Sequence, residues 1–233
     1  MNTYENNPNA DSNKFLSKVY VWMFIGLTLT SIASYAIISS KSLQDFFYDN
    51  PLIYVLLIFQ LIIVIVLSWA IKSLPPSIAT LIFIFYSVLS GITLTPVIWQ
   101  YTETSVFIVF VIAAGMFIGM SLIGYFIKKD LSGLGRFLIM ALIGLILAML
   151  LNMLLSFFFP TLVGPFSFLL SIAGVLIFAG LTAYDTQKIK NLGASVDHGE
   201  PFTQNLVIVC ALTLYLDFIN MFLFLLRLFG NRR

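Results

Sequence analysis

Two aspartates interrupt apolar sequence. Asp217 falls near the middle of "TLYLDFINMF", and Asp185 closes the apolar part of "GLTAYDTQKIK". The chain carries ten acidic residues, and the other eight lie in polar tails and joints. An ionised aspartate at the centre of a spanning helix costs about 3 kcal/mol, so it needs a partner, a proton or water. Asp217 therefore reads either as a hydrogen-bonded packing residue or as a proton or cation site. Asp185 stands three residues before Lys188, and an i,i+3 salt bridge at a helix end would also account for it.

The run around Asp217 supplies a setting. Thr203, Cys210, Thr213, Asp217 and Asn220 fall at offsets 0, 7, 10, 14 and 17. At helical spacing they form one narrow polar stripe on a helix otherwise covered by Leu, Ile, Val and Phe, which should face other helices rather than lipid. Thr213 and Asn220 are the candidates to support the aspartate. The two acids lie on consecutive antiparallel helices. If the first helix continues to Leu192 and the next starts near Pro201, Asp185 lies about 10 Å and Asp217 about 22 Å from the joint. The difference of about 12 Å lies within the reach of the eight residues "GASVDHGE", which span up to about 26 Å. Meeting is geometrically open and demands that the helix run well past Asp185.

Other chemistry finds little material. His198 is the only histidine and lies in a joint, and a metal site there lacks further nitrogen or sulfur ligands. Cys210, the single cysteine, has no local base and reads as small apolar filler. No HExxH, Walker loop or GxGxxG is present, and no histidine activates a serine, so an enzyme is not expected. No cofactor is expected either. Gln60 and Asn152, inside apolar runs, read as hydrogen bonds between helices.

The elements that must position these residues are membrane helices. The chain has 233 residues, 60% hydrophobic and 9% charged, with a mean hydropathy of +1.03. Soluble domains carry roughly 25% charged residues. Seven apolar segments, each near the length of about 20 residues that a bilayer needs, run over Phe15–Ile38, Pro51–Ile71, Ser77–Trp99, Ser105–Ile127, Leu134–Phe159, Phe166–Tyr184 and Asn205–Phe229. The expected fold is an all-α polytopic membrane protein: an N-terminal tail over 1–14, a single membrane domain over 15–230 and a short tail over 231–233. The lipid bilayer is its first partner. The net charge of +2, without a basic patch, excludes nucleic acid.

Lysines and arginines favour the N-terminal face by eight to four, which predicts a cytoplasmic N-terminus. Seven spans then place "GNRR" on the opposite face, against the same rule, and a re-entrant last segment or an even count would remove the conflict. Gly115 with Gly119, and Gly144 with Ala148, have the spacing that lets helices approach closely.

Several stretches resemble one family. "AGLTAYDTQKIK" is similar to the signature of the Bax inhibitor, or transmembrane Bax inhibitor motif, family. "FLSKVYVWMFIGLTLT", "FYSVLSGITLTPV", "MSLIGYFIKKDLSGLGRFL" and "LYLDFINMFLFLLRLFG" resemble its first helix, its third, its fourth-to-fifth join and its last. The closest likeness is to the bacterial, YccA-like branch. The resemblance implies six helices around a central seventh, the C-terminal one. It implies a pH-sensitive calcium leak of the bacterial inner membrane, in which Asp185 and Asp217 form a proton-sharing pair and meet calcium transiently. Two close carboxylates cannot both ionise cheaply, so such a pair holds a proton between them, and carboxylate oxygens suit calcium or another hard cation. The family's second helix carries an arginine that latches onto the sixth-helix aspartate. Here "SWAIKSLPPS" offers Lys72 alone, a point charge without the bidentate fork. The alternative function is a stress-response regulator that binds a membrane protease or other membrane protein through the 1–14 tail.

Overall fold

The computed structural model describes residues 8–48, 51–69, 74–196 and 201–233. Its elements are α1 (Pro8–Ile38), α2 (Lys41–Tyr48), α3 (Leu52–Trp69), α4 (Pro76–Ile98), α5 (Glu103–Phe126), α6 (Ser132–Phe158), α7 (Pro160–Ser195) and α8 (Pro201–Phe229). Six of them, α1 and α4 to α8, are each long and apolar enough to cross a membrane. The pair α2–α3, bent by 76°, gives a seventh candidate. The chain divides into two compact units, Met1–Gln100 with Ile189–Tyr215, and Tyr101–Lys188 with Leu216–Arg233.

In the first unit, α1 packs on α4 through small residues. A Cβ at Gly26 would come within 2.7 Å of the Phe83 ring, and one at Gly91 within 2.7 Å of Ala33 Cβ. The contact is stitched by hydroxyls. Tyr215 shares a 2.7 Å hydrogen bond with Thr30, and Thr30 lies 2.8 Å from the Ser87 carbonyl. Gln60 donates to Ser90 at 2.7 Å and accepts from Thr93 at 2.8 Å, joining α3 to α4 as its apolar surroundings predict. Each of these polar groups is matched to a protein partner, as buried polar groups generally are.

Contacts in this unit also agree with seven crossings. Ser12, near the start of α1, donates to the Lys190 carbonyl near the end of α7. Asn205, near the start of α8, donates to the Leu74 carbonyl just before α4 at 2.7 Å. The starts of α1 and α4 therefore lie on one side, with the α7–α8 turn. A chain that leaves that side along α1 must return before α4, and α2–α3 provides the return. Seven spans result.

The second unit contains α5, α6, most of α7 and the end of α8. Asn152 on α6 donates to Ser167 on α7 at 2.7 Å, again a hydrogen bond between helices. The C-terminal residues fold onto the α4–α5 joint: Thr102 N–H donates to the Asn231 carbonyl at 3.0 Å, Asn231 N–H to the Ser105 hydroxyl at 2.8 Å, and Arg233 pairs with Glu103 at 3.3 Å. Four spans separate that joint from the C-terminus, so both belong on one side. α8 is unbroken, which removes the re-entrant option.

Four departures from the sequence expectation are local. The helix begins at Pro8, inside the segment expected as a tail. α2 is an added short helix, held by the Gln44 amide donating to the Ile37 and Ile38 carbonyls. "PTLVGP", expected as a joint, is the first turn and a half of α7. Pro160 is tolerated at the helix start, where the N–H has no partner anyway, whereas Pro165 lies inside the helix. The same helix runs to Ser195, beyond the Tyr184 boundary that hydropathy suggests.

Candidate functional site

The stretch Ala183–Gln187 on α7 is packed residue by residue within the second unit. Ala183 presents its carbonyl to Gly124 of α5 so closely that no side chain fits there. The Tyr184 ring covers Gly135 of α6, and a Cβ at Gly135 would stand 2.5 Å from ring carbon Cδ2. Thr186, fully buried, faces the Ser121 hydroxyl at 3.4 Å. Gln187 binds the α5–α6 joint: its Oε1 accepts from Leu131 N–H at 2.8 Å, and its Nε2 donates to the Lys129 carbonyl at 2.9 Å and the Ile127 carbonyl at 3.3 Å.

Asp185 lies at the centre of this packing, 8% exposed, and Asp217 on α8 is 5% exposed. They are the only buried acidic residues among the described ones. The two carboxyl groups lie close enough to interact directly. The buried Oδ2 of Asp217 has no hydrogen-bond partner. An ionised carboxylate only accepts, so a bond between two carboxyls requires that at least one carry a proton. Losing that proton would set two like charges side by side away from water. Phe218, next in sequence to Asp217, packs edge-on against Phe110 and Phe117 of α5.

The helix-end salt bridge to Lys188 is not formed. The Lys188 ammonium stands over the Tyr184 ring, 5.8 Å from its centroid, and reaches Asp185 only through longer-range attraction. Thr213 and Asn220 donate to carbonyls of their own helix, Val209 at 3.1 Å and Leu216 at 2.8 Å, so no hydrogen bond joins them to the aspartates. Lys72 and His198 lie outside the described residues. Cys210 is buried and forms no disulfide. Among the described residues no third acidic, histidine or cysteine group joins the two aspartates. Gln187, Gly124 and Gly135 were invisible to hydropathy, although Gln187 and both glycines fall inside the stretches that carry the family resemblance.

A buried carboxyl pair within seven apolar helical spans defines a polytopic membrane protein with a protonatable site inside it. The chain belongs to the Bax inhibitor family: the family profile described as inhibitor of apoptosis-promoting Bax1 matches residues 12–233. It is 44% identical over 230 residues to the inner membrane protein YbhL of Escherichia coli, covering 97% of this chain and 95% of that one. It is 39% identical over 222 residues to a protein of Borreliella burgdorferi, covering 95% and 93%. It is 38% identical over 222 residues to a membrane protein of Streptococcus pyogenes, covering 94% and 93%.

Proposed function

We propose that this protein is a pH-sensitive cation leak of an inner membrane, that calcium is the ion it passes, and that Asp185 and Asp217 are its proton sensor. The observation that carries this reading is the juxtaposition of two buried carboxyls with no other acid, histidine or cysteine beside them among the described residues. A pair that must hold a proton to stay together changes its contacts when that proton leaves. Like-charge repulsion then opens the contact between α7 and α8, and the freed carboxylates offer oxygens to a hard cation. The similarity to an inner membrane protein supports the location, and the excess of cations on the N-terminal face supports a cytoplasmic N-terminus. The C-terminal arginines that this orientation places outside have local partners, Arg232 over the Tyr101 ring and Arg233 at Glu103. The regulator alternative relies on residues 1–14 as a free arm. From Pro8 onward those residues belong to α1, and Ser12 is buried.

The test is calcium flux into dye-loaded liposomes across pH. The wild type should show a flux that changes steeply with pH, and the double variant Asp185→Asn/Asp217→Asn should lose that dependence. An unchanged pH profile in the double variant would sink the reading.

A further inference from the structure

Three cations of the second unit stand close in sequence and carry no ion pair. Lys128 and Lys129 lie in the α5–α6 joint and Arg136 on the second turn of α6, all exposed, and the two ion pairs of the described residues involve none of them. The single acid among them, Asp130, is engaged at Oδ1 by the Ser132 N–H and hydroxyl. Arg136 borders a shallow open cavity of about 520 Å³ whose other walls are Gly133, Phe137, Ile139 and Met140. Gly133 has open space above it, with nothing within 4 Å of a Cβ placed there.

The depth of this cavity follows from helix length. α6 has 27 residues, about 40 Å, against a hydrocarbon thickness of about 30 Å. The excess is about 5 Å at each end. Arg136 lies four residues past the start, about 6 Å along the axis, so its backbone sits at the hydrocarbon boundary and its guanidinium reaches the headgroup level. Phe137 and Met140, 61% and 64% exposed, continue the cavity wall towards the hydrocarbon. α6 is also the least buried of the spans, so this wall meets lipid rather than protein. Cationic groups at phosphate depth above an apolar wall match a phospholipid in charge and in length. Three cations beside a single acid, which is engaged by Ser132 and also attracts Arg136, leave a net positive charge that favours a headgroup with net negative charge over a zwitterionic one, whose own ammonium they would repel.

We infer that the α5–α6 joint and the first two turns of α6 form a binding site for one anionic phospholipid, with its phosphate on Arg136 and an acyl chain along Phe137 and Met140. Arginine is suited to this task because its planar fork meets two phosphate oxygens at once. Lys128 and Lys129 add attraction from the joint. The inference does not rest on the proposed leak.

The test is native mass spectrometry of the purified full chain, titrated with phosphatidylglycerol or with phosphatidylcholine of the same acyl chains. The first phosphatidylglycerol should bind in preference, by about fivefold for each cation that reaches it. Arg136→Gln should remove most of the preference, and Lys128→Gln/Lys129→Gln, in an exposed joint where folding is not at stake, should reduce it. Soluble glycerol phosphate should not displace the lipid, because it lacks the chain that covers Phe137 and Met140. Equal binding of the two lipids to the wild type would overturn the inference. So would a preference retained in both variants, or full displacement by glycerol phosphate.

Discussion

Replacing Gly124 with alanine tests how tightly Asp185 is held. The new Cβ would stand 2.9 Å from both the Cα and the carbonyl carbon of Ala183, and closer still to its oxygen. Carbon atoms rest at about 3.5 Å or more, so α5 and α7 would have to separate by more than about 0.6 Å. Both sides of this contact are helix backbone, which cannot rotate away as a side chain would. Overpacking of this kind costs about 1–3 kcal/mol, and rigid walls put Gly124→Ala at the upper end. For a chain of this length that corresponds to a melting temperature lower by about 6–12 °C. Ala183 is two residues from Asp185, so the displacement should also shift the pH profile of the proposed calcium flux. The assay is thermal unfolding in detergent beside a control, Gly119→Ala, whose Cβ would meet nothing within 4 Å. If both variants melt within about 1 °C of the wild type, the close α5–α7 approach is not what stabilises this region, and the reasoning fails.

Gln187→Ala should leave the buried Leu131 N–H without its acceptor, at a cost of about 1–3 kcal/mol. Amide exchange over residues 127–131 should then accelerate, and unchanged exchange at Leu131 would count against the clamp. Tyr215→Phe removes the hydroxyl that pairs with Thr30 and should lower stability by about 1 kcal/mol. Thr30 keeps a carbonyl acceptor at Ser87, so a loss of several times that size would mean that the network is more cooperative than its pairs. Asp130 should titrate below the ordinary aspartate range because the Ser132 hydroxyl and N–H both donate to it. Since the folded value is the lower one, its support of the α6 start is present above the ordinary range and lost as pH falls through the lowered value. Carbon-13 titration of Asp130 in the wild type and in Ser132→Ala checks this, with the variant expected to move up.

How far the sequence anticipates these features depends on whether the cause is local or tertiary. The apolar runs are local, and they locate the spans within a few residues because hydrocarbon thickness sets their length. Asp217 is equally visible, since an acid in mid-run has a cost that no neighbour in sequence offsets. Asp185 is only half visible. Hydropathy ends its segment at Tyr184, yet the helix continues to Ser195 because its last turns have protein to pack on. Ile189 is buried, Gly193 lies against Phe15, and Lys190 offers its carbonyl to Ser12. A polar helix end that enters a protein interior looks the same in sequence as one that enters water. The glycines carry the same lesson in reverse. Gly115, Gly119 and Gly144 have the spacing of a packing motif but face open space, whereas Gly124 and Gly135, without that spacing, admit Ala183 and Tyr184. A GxxxG pattern states that a helix could be approached closely on one face. Which face is approached is decided by the helix that arrives, and here α7 arrives with the carbonyl and ring that flank Asp185. The residues that hold the acid in place are therefore distributed over α5, the α5–α6 joint and α6, at positions whose importance exists only once α7 is packed among them.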